Sequence, residues 1–167
     1  MTPAPARLDA PRFETRGAML IAGLRGHYTT ANADTIPELW QRFVPYLPVR
    51  NAIGTATYGL CFPAAEGFDY QCGVEIPEGA SIPAEFVSAA VPAQQYAVFT
   101  HRDHISKLRT TIENISQKWF PSSGYHHVEP AQDAPAFFER YDERFNPRTG
   151  IGDVEVWMPM QPWKGSK

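Results

Sequence analysis

Glu139 lies inside an aromatic run, Phe137-Phe138-Glu139-Arg140-Tyr141. Alternate side chains of a strand share a face, so Phe137, Glu139 and Tyr141 point one way and Phe138 and Arg140 the other. If the first face is covered, a carboxylate lies among aromatic rings. An unpaired buried carboxylate costs several kcal/mol or takes up a proton. The simplest use for it is as a counter-charge to something that enters a pocket. Glu155, on the last predicted strand beside Trp157, has the same parity as that tryptophan and is a second candidate. Its expected role is structural or hydrogen-bonding.

Other reactive-looking groups carry less. His101-Arg102-Asp103-His104 and His126-His127 fall in predicted loops and match no recognised zinc spacing, so no metal is expected. Asp103 is instead expected to cap a helix. No Gly-rich phosphate loop is present, no cofactor is implied, and no Ser-His-Asp or Cys-His signature competes with the glutamate. Cys61 and Cys72 are the only cysteines. They could meet across a hairpin, but two small buried thiols in a cytoplasmic protein is the expected state.

The elements that must position Glu139 are legible as periodicities. Residues 18–24 form an apolar run read as a strand. Thr35-Ile36-Pro37-Glu38 fits a capping box, and Ile36, Leu39, Trp40, Phe43, Val44 and Leu47 mark one face of a helix over Thr35–Leu47. Residues 57–62 and 68–76 read as a hairpin. Residues 95–100 are a strand, and Ile105, Leu108, Ile112, Ile115 and Trp119 mark a second helix, Ile105–Trp119, stopped by Pro121. Strands over 136–141 and 154–158 close the chain. Both halves read strand, helix, strand, strand. Two helices against about eight mostly antiparallel strands make an α+β domain, expected as two pseudo-repeated β-α-β-β modules.

A chain of 167 residues holds one domain or two fused modules, with a real core. A net charge of −3, with Arg12, Arg16 and Arg25 forming no basic stripe, argues against a nucleic-acid surface. No stretch approaches the ~20 apolar residues of a membrane span. Residues 1–11 are rich in Pro and Ala, lack a signal-peptide core and read as a loose tail.

These residues resemble the GyrI-like small-molecule-binding domain, the effector-binding module of AraC- and MerR-type multidrug-responsive regulators, which also occurs alone. The resemblance covers roughly 12–161. Its marks are Ile36-Pro37-Glu38-Leu39-Trp40, Tyr58-Gly59-Leu60, Phe68-Asp69-Tyr70, Gln95-Tyr96-Ala97-Val98-Phe99, the run from Trp119 to Tyr125, Phe138-Glu139-Arg140-Tyr141, and Val154 to Pro159. It implies one module over about 12–80 and a second over about 84–161, with a ligand cleft between them and a short tail, 162–167. It further implies that Glu139 is the acidic residue of the cleft and that the ligands are mostly lipophilic cations. About a dozen residues precede the domain, too few for a helix-turn-helix, so no direct operator binding is expected.

Three functions from different classes follow. In the first, the chain is a standalone drug-binding or effector-sensing module. Trp40, Phe43, Tyr58, Phe62, Tyr70, Trp119, Tyr141 and Trp157 are the candidate ring walls around Glu139, since ring faces attract cations by ~0.5–2 kcal/mol each. In the second, implied by hydrolase members of the family, Glu139 activates or orients water with help from Tyr141 to open strained cyclopropanoid electrophiles. In the third, the chain meets a protein partner, a regulator or gyrase, as the founding relatives do.

Overall fold

The computed structural model describes residues 8–162. Among the described residues nine strands are present: β1 (Arg12–Arg16), β2 (Met19–Tyr28), β3 (Thr57–Pro63), β4 (Phe68–Ile76), β5 (Val87–Val91), β6 (Gln94–His101), β7 (Tyr125–His127), β8 (Phe137–Tyr141) and β9 (Val154–Pro162). Helix α1 spans Ile36–Phe43, and the second helix is built from α2 (Leu108–Asn114), a π turn (Ile115–Trp119) and α3 (Phe120–Ser123). This is the α+β architecture expected from the periodicities. β1, β5 and β7 carry no clear apolar alternation and were not anticipated.

Eight strands form one antiparallel path, β1-β6-β9-β8-β3-β4-β2-β5, with β7 added beside β9. The two modules exchange their leading strands. β1 pairs with β6, and β5 pairs with β2. The exchange is symmetric in register. Arg12 faces Val98 where Val87 faces Gly23, and Leu24 faces Cys72 where Phe99 faces Val156. A pseudo-twofold axis therefore passes between the central strands β3 and β8, at the pair Gly59 and Glu139.

The sheet must curl. β1 and β2 stand six places apart in the strand order, about 29 Å at ~4.8 Å per strand in a flat sheet. Only Gly17 and Ala18 join them, a reach of about 11 Å. Pro92 and Ala93 impose the same demand on β5 and β6. The curl encloses one core on the inner face, with Ile21, Tyr58, Leu60, Tyr96, Phe138 and Trp157. Arg16 crosses it to bond Glu75 and the Tyr58 hydroxyl.

The other face carries the helices. α1 buries Leu39 and Phe43 against Ala22, Leu24 and Cys72. The second helix buries Leu108 and Ile115 against Ala97, Phe99 and Val156. β3 and β8 lie between these two covered regions.

Helix ends depart from expectation in four places. α1 stops at Phe43 rather than Leu47, and a 3₁₀ turn over Val44–Tyr46 with Pro45 inside it leaves Val44 and Leu47 exposed. Thr35 forms no capping box. A 3₁₀ turn over Ala33–Thr35 already gives it helical dihedrals, and its hydroxyl donates to the Asn32 carbonyl. His104, not Asp103, caps the second helix, because the extended residue comes one position later and its ring nitrogen accepts from the Ser106 amide. Pro121 does not stop that helix at Trp119. The π turn shifts the hydrogen-bond register, so Pro121 falls in the first turn of α3, where no amide donor is required. The helix ends instead at left-handed Gly124. The segment read as a tail also contributes: Leu8 packs on the second-helix core and Asp9 pairs with Arg102. Residues 1–7 and 163–167 lie outside the described residues, and Pro162 belongs to β9.

Gly23 of β2 lies so close to β4 that a Cβ would enter the Cys72 carbonyl, whereas a Cβ on Gly17 would meet nothing. Backbone cannot yield as a side-chain tip can. Gly23→Ala is expected to cost at least about 2 kcal/mol in urea unfolding, on the scale of overpacking a core. Gly17→Ala should unfold like the wild type. Equal behaviour of the two variants would show that the β2–β4 contact is not the tight one.

Candidate ligand-binding site

Glu139 sits in the middle of β8, paired with Gly59 of β3 and Val156 of β9. Its side chain is on the helix-bearing face and only 6% exposed. Position 59 has no side chain, and that gap matters. The Tyr70 ring reaches across it from β4, so a Cβ on Gly59 would collide with the Tyr70 hydroxyl and crowd the Glu139 carboxylate. Tyr70 donates to Glu139 Oε1 at 2.8 Å, and Tyr141 donates to the same oxygen at 2.7 Å. Trp40 of α1 donates its indole N–H to the Tyr70 hydroxyl at 3.1 Å and meets the Tyr141 ring edge-on at 5.2 Å. Phe145 also meets the Tyr141 ring edge-on, at 5.2 Å.

The site follows the seam between the two helix-covered cores. Trp40 and Cys61 border the first, and Phe137 and Tyr141 border the second. Oε2 of Glu139 accepts no hydrogen bond from a described residue and keeps a small accessible surface.

No Arg, Lys or His of the described residues forms an ion pair with Glu139. Burial pushes its carboxyl above the usual carboxylate range; the hydrogen bonds from Tyr141 and Tyr70 pull it back only in part. Burial, and then the charge of Glu139, hold the Tyr70 and Tyr141 hydroxyls well above ordinary phenols and the Cys61 thiol well above an ordinary thiol. Cys61 and Cys72 are both free thiols.

Glu155 is the opposite case. It lies on the inner face, bonded by Arg12 at 2.9 Å, by Arg144 at 3.1 Å and by the Trp157 indole at 3.0 Å, with Arg140 at 3.6 Å. Burial would raise its pKa, but these donors and charges together hold it below the usual value.

Of the eight rings read as candidate walls, Trp40, Tyr70 and Tyr141 meet at Glu139. Phe43 is fully buried behind Trp40, against Phe86. Tyr58, Phe62 and Trp157 lie on the inner face, across the sheet from the carboxylate. Trp119 packs with Phe99, Phe13 and Tyr125 on the second-helix side. Phe137 lies beside Glu139 as strand parity placed it, whereas Gly59, Cys61 and Phe145 are not among the candidate site residues of the sequence, although strand parity around Tyr58-Gly59-Leu60-Cys61 points to the first two once β3 is paired with β8. His101 is buried and bonded to Thr111 and the His104 carbonyl. A surface cleft of about 400 Å³, lined by Pro92, Gln95, Val128, Pro130 and Met160 among others, lies apart from Glu139.

The family model of the GyrI-like small molecule binding domain matches residues 9–161. The chain belongs to this family. Among its relatives is the transcriptional regulator BrlR of Pseudomonas aeruginosa, 32% identical over 153 residues, which cover 89% of this chain and 54% of BrlR. The chain thus spans about half the length of that curated relative. Among solved structures, SAV2435 bound to tetraphenylphosphonium is 20% identical with a TM-score of 0.70, the match covering 90% of this chain and 93% of that one. EcmrR in a DNA complex is 14% identical with a TM-score of 0.64 over 93% of this chain and 58% of that one. Both share the fold of this GyrI-like domain.

The contrast between the two glutamates can be measured as stability against pH. Glu139 has a raised native pKa, so its ionised form destabilises the fold, fully above that pKa and not at all below the ordinary carboxylate value. Glu139→Gln keeps an oxygen for both tyrosines and removes the charge. It should melt at or above the wild type at neutral pH, and the gap should close as pH falls through the raised value. Glu155 has a lowered pKa, so its contribution is present above the ordinary value and lost as pH falls through the native one. Glu155→Gln should lose roughly 1.5–3 kcal/mol at neutral pH. A large loss of Tm in Glu139→Gln at neutral pH would show that this carboxylate anchors the fold.

Proposed function

We propose that this domain binds lipophilic aromatic cations between the two helices, above β3 and β8, as a drug-binding or effector-sensing module. Glu139 is the counter-charge, and Trp40 and Tyr141 supply ring surface beside it. The observation that carries this reading is the missing cation: Glu139 is buried with no basic partner among the described residues, while Glu155 has three arginines. A bound cation would complete a charge pair that the fold leaves half-made. The family and the tetraphenylphosphonium bound to SAV2435 support it from outside the chain.

Both tyrosine protons are committed to one carboxylate oxygen. That arrangement favours holding a charge in place over activating water, and so favours binding over ring-opening hydrolysis.

The test is a titration with tetraphenylphosphonium and with neutral triphenylphosphine oxide. The cation should bind the wild type and lose about ten- to a hundredfold in Glu139→Gln, or roughly 1.4–2.8 kcal/mol. The neutral compound should change far less. Cation affinity should fall with pH as Glu139 takes up its proton. Equal losses for both compounds would mean that the substitution alters shape, and the counter-charge reading would fail.

A further inference from the structure

The hydrogen bonds around Glu139 run in one direction. Trp40 has a single indole proton, and it goes to the Tyr70 oxygen. Tyr70 and Tyr141 have one phenolic proton each, and both go to Oε1. No strong side-chain donor of this cluster is left over. What remains is acceptor capacity, above all Oε2, which no described residue engages and which keeps a small accessible surface.

The two tyrosines also fix the carboxylate. Both pull on the same oxygen, from β4 on one side and from β8 itself on the other, with Gly59 giving Tyr70 room to arrive. Rotation of the carboxylate would break two short bonds. Oε2 is therefore held as an oriented acceptor and not only as part of a diffuse charge.

We infer that this site selects cations that carry an N–H donor, such as protonated tertiary amines and amidinium groups, over quaternary cations of the same size. The inference rests on the counter-charge reading above and goes further, from charge to hydrogen-bonding class. A quaternary ammonium or phosphonium gains the Coulomb attraction but leaves Oε2 desolvated without a donor. A protonated amine gains both, through a charge-assisted N–H···O bond. A ligand that offers only acceptors meets no available donor here.

The experiment uses a fluorescent pair: protonated dimethyl(anthracenylmethyl)amine and its N-methyl quaternary salt, titrated at neutral pH against the wild type and Glu139→Gln. The quaternary salt has one more methyl group and so the greater apolar surface, which biases the comparison against the inference. The wild type should nevertheless bind the protonated amine tighter, by roughly five- to twentyfold. In Glu139→Gln the side-chain oxygen stays with the tyrosines and an NH₂ donor takes the place of Oε2. The preference should vanish or reverse there.

If both cations bind the wild type equally and both weaken in the variant, the counter-charge reading stands and the donor inference is overturned. If neither affinity responds to the substitution, both fail. A tighter quaternary salt overturns the inference as well. The wild-type comparison decides the matter even if the variant does not fold.

Discussion

Two phenolic protons converge on one carboxylate oxygen, and much of the domain is arranged around that meeting. Taking a carboxylate out of water costs several kcal/mol even after relaxation. Hydrogen bonds from Tyr70 and Tyr141 recover part of it without supplying a charge. Tyr70 can arrive only because β3 has a glycine at position 59, and Trp40 holds the Tyr70 hydroxyl from α1. One oxygen thus ties together β4, β8 and α1. The same three donors leave the other oxygen unengaged. Satisfying half of a carboxylate is a means of stabilising its burial while keeping it competent to attract.

The inner face holds a second buried carboxylate with the opposite surroundings. Glu155 is bonded or approached by Arg12, Arg140 and Arg144, and its oxygens are occupied. Arg12 and Arg16 also lie over the Trp157 ring, so β1 is fastened across the curled sheet by charge and ring contacts together. Both glutamates are nearly inaccessible, and burial alone does not tell them apart. The arginines do.

How much of this could be read from the sequence depended on which interactions are local. The helix stripes and the alternation of Phe68 to Ile76 come from contacts along one element, and they gave the fold class. Glu139 stood out because strand parity placed it with Phe137 and Tyr141. Assigning the rings was harder. Tyr58 and Trp157 are as aromatic as Tyr70, yet they face the other way, because their orientation depends on pairing between strands far apart in sequence. β1 and β5 were missed for a related reason. Arg12–Arg16 is an exposed edge held by its partner, and Val87–Val91 is apolar at four of its five residues but short and without clear alternation. The helix signals failed where one residue of register matters: the turn before Thr35, the extended His104, and the π turn that makes Pro121 acceptable.

The pseudo-twofold axis passes between Gly59 and Glu139, positions that correspond to each other across it. Two identical half-chains assembled about such an axis would have to carry the same residue at both places. Two glutamates would set like charges side by side in a buried site, and two glycines would provide no charge at all. A single negative charge at the centre of a symmetric sheet is open only to a molecule whose halves differ in sequence. Joining the halves in one chain keeps two unlike sequences together in every molecule. The chain can then put a charge on one side of the axis and, on the other, the room needed to hold it.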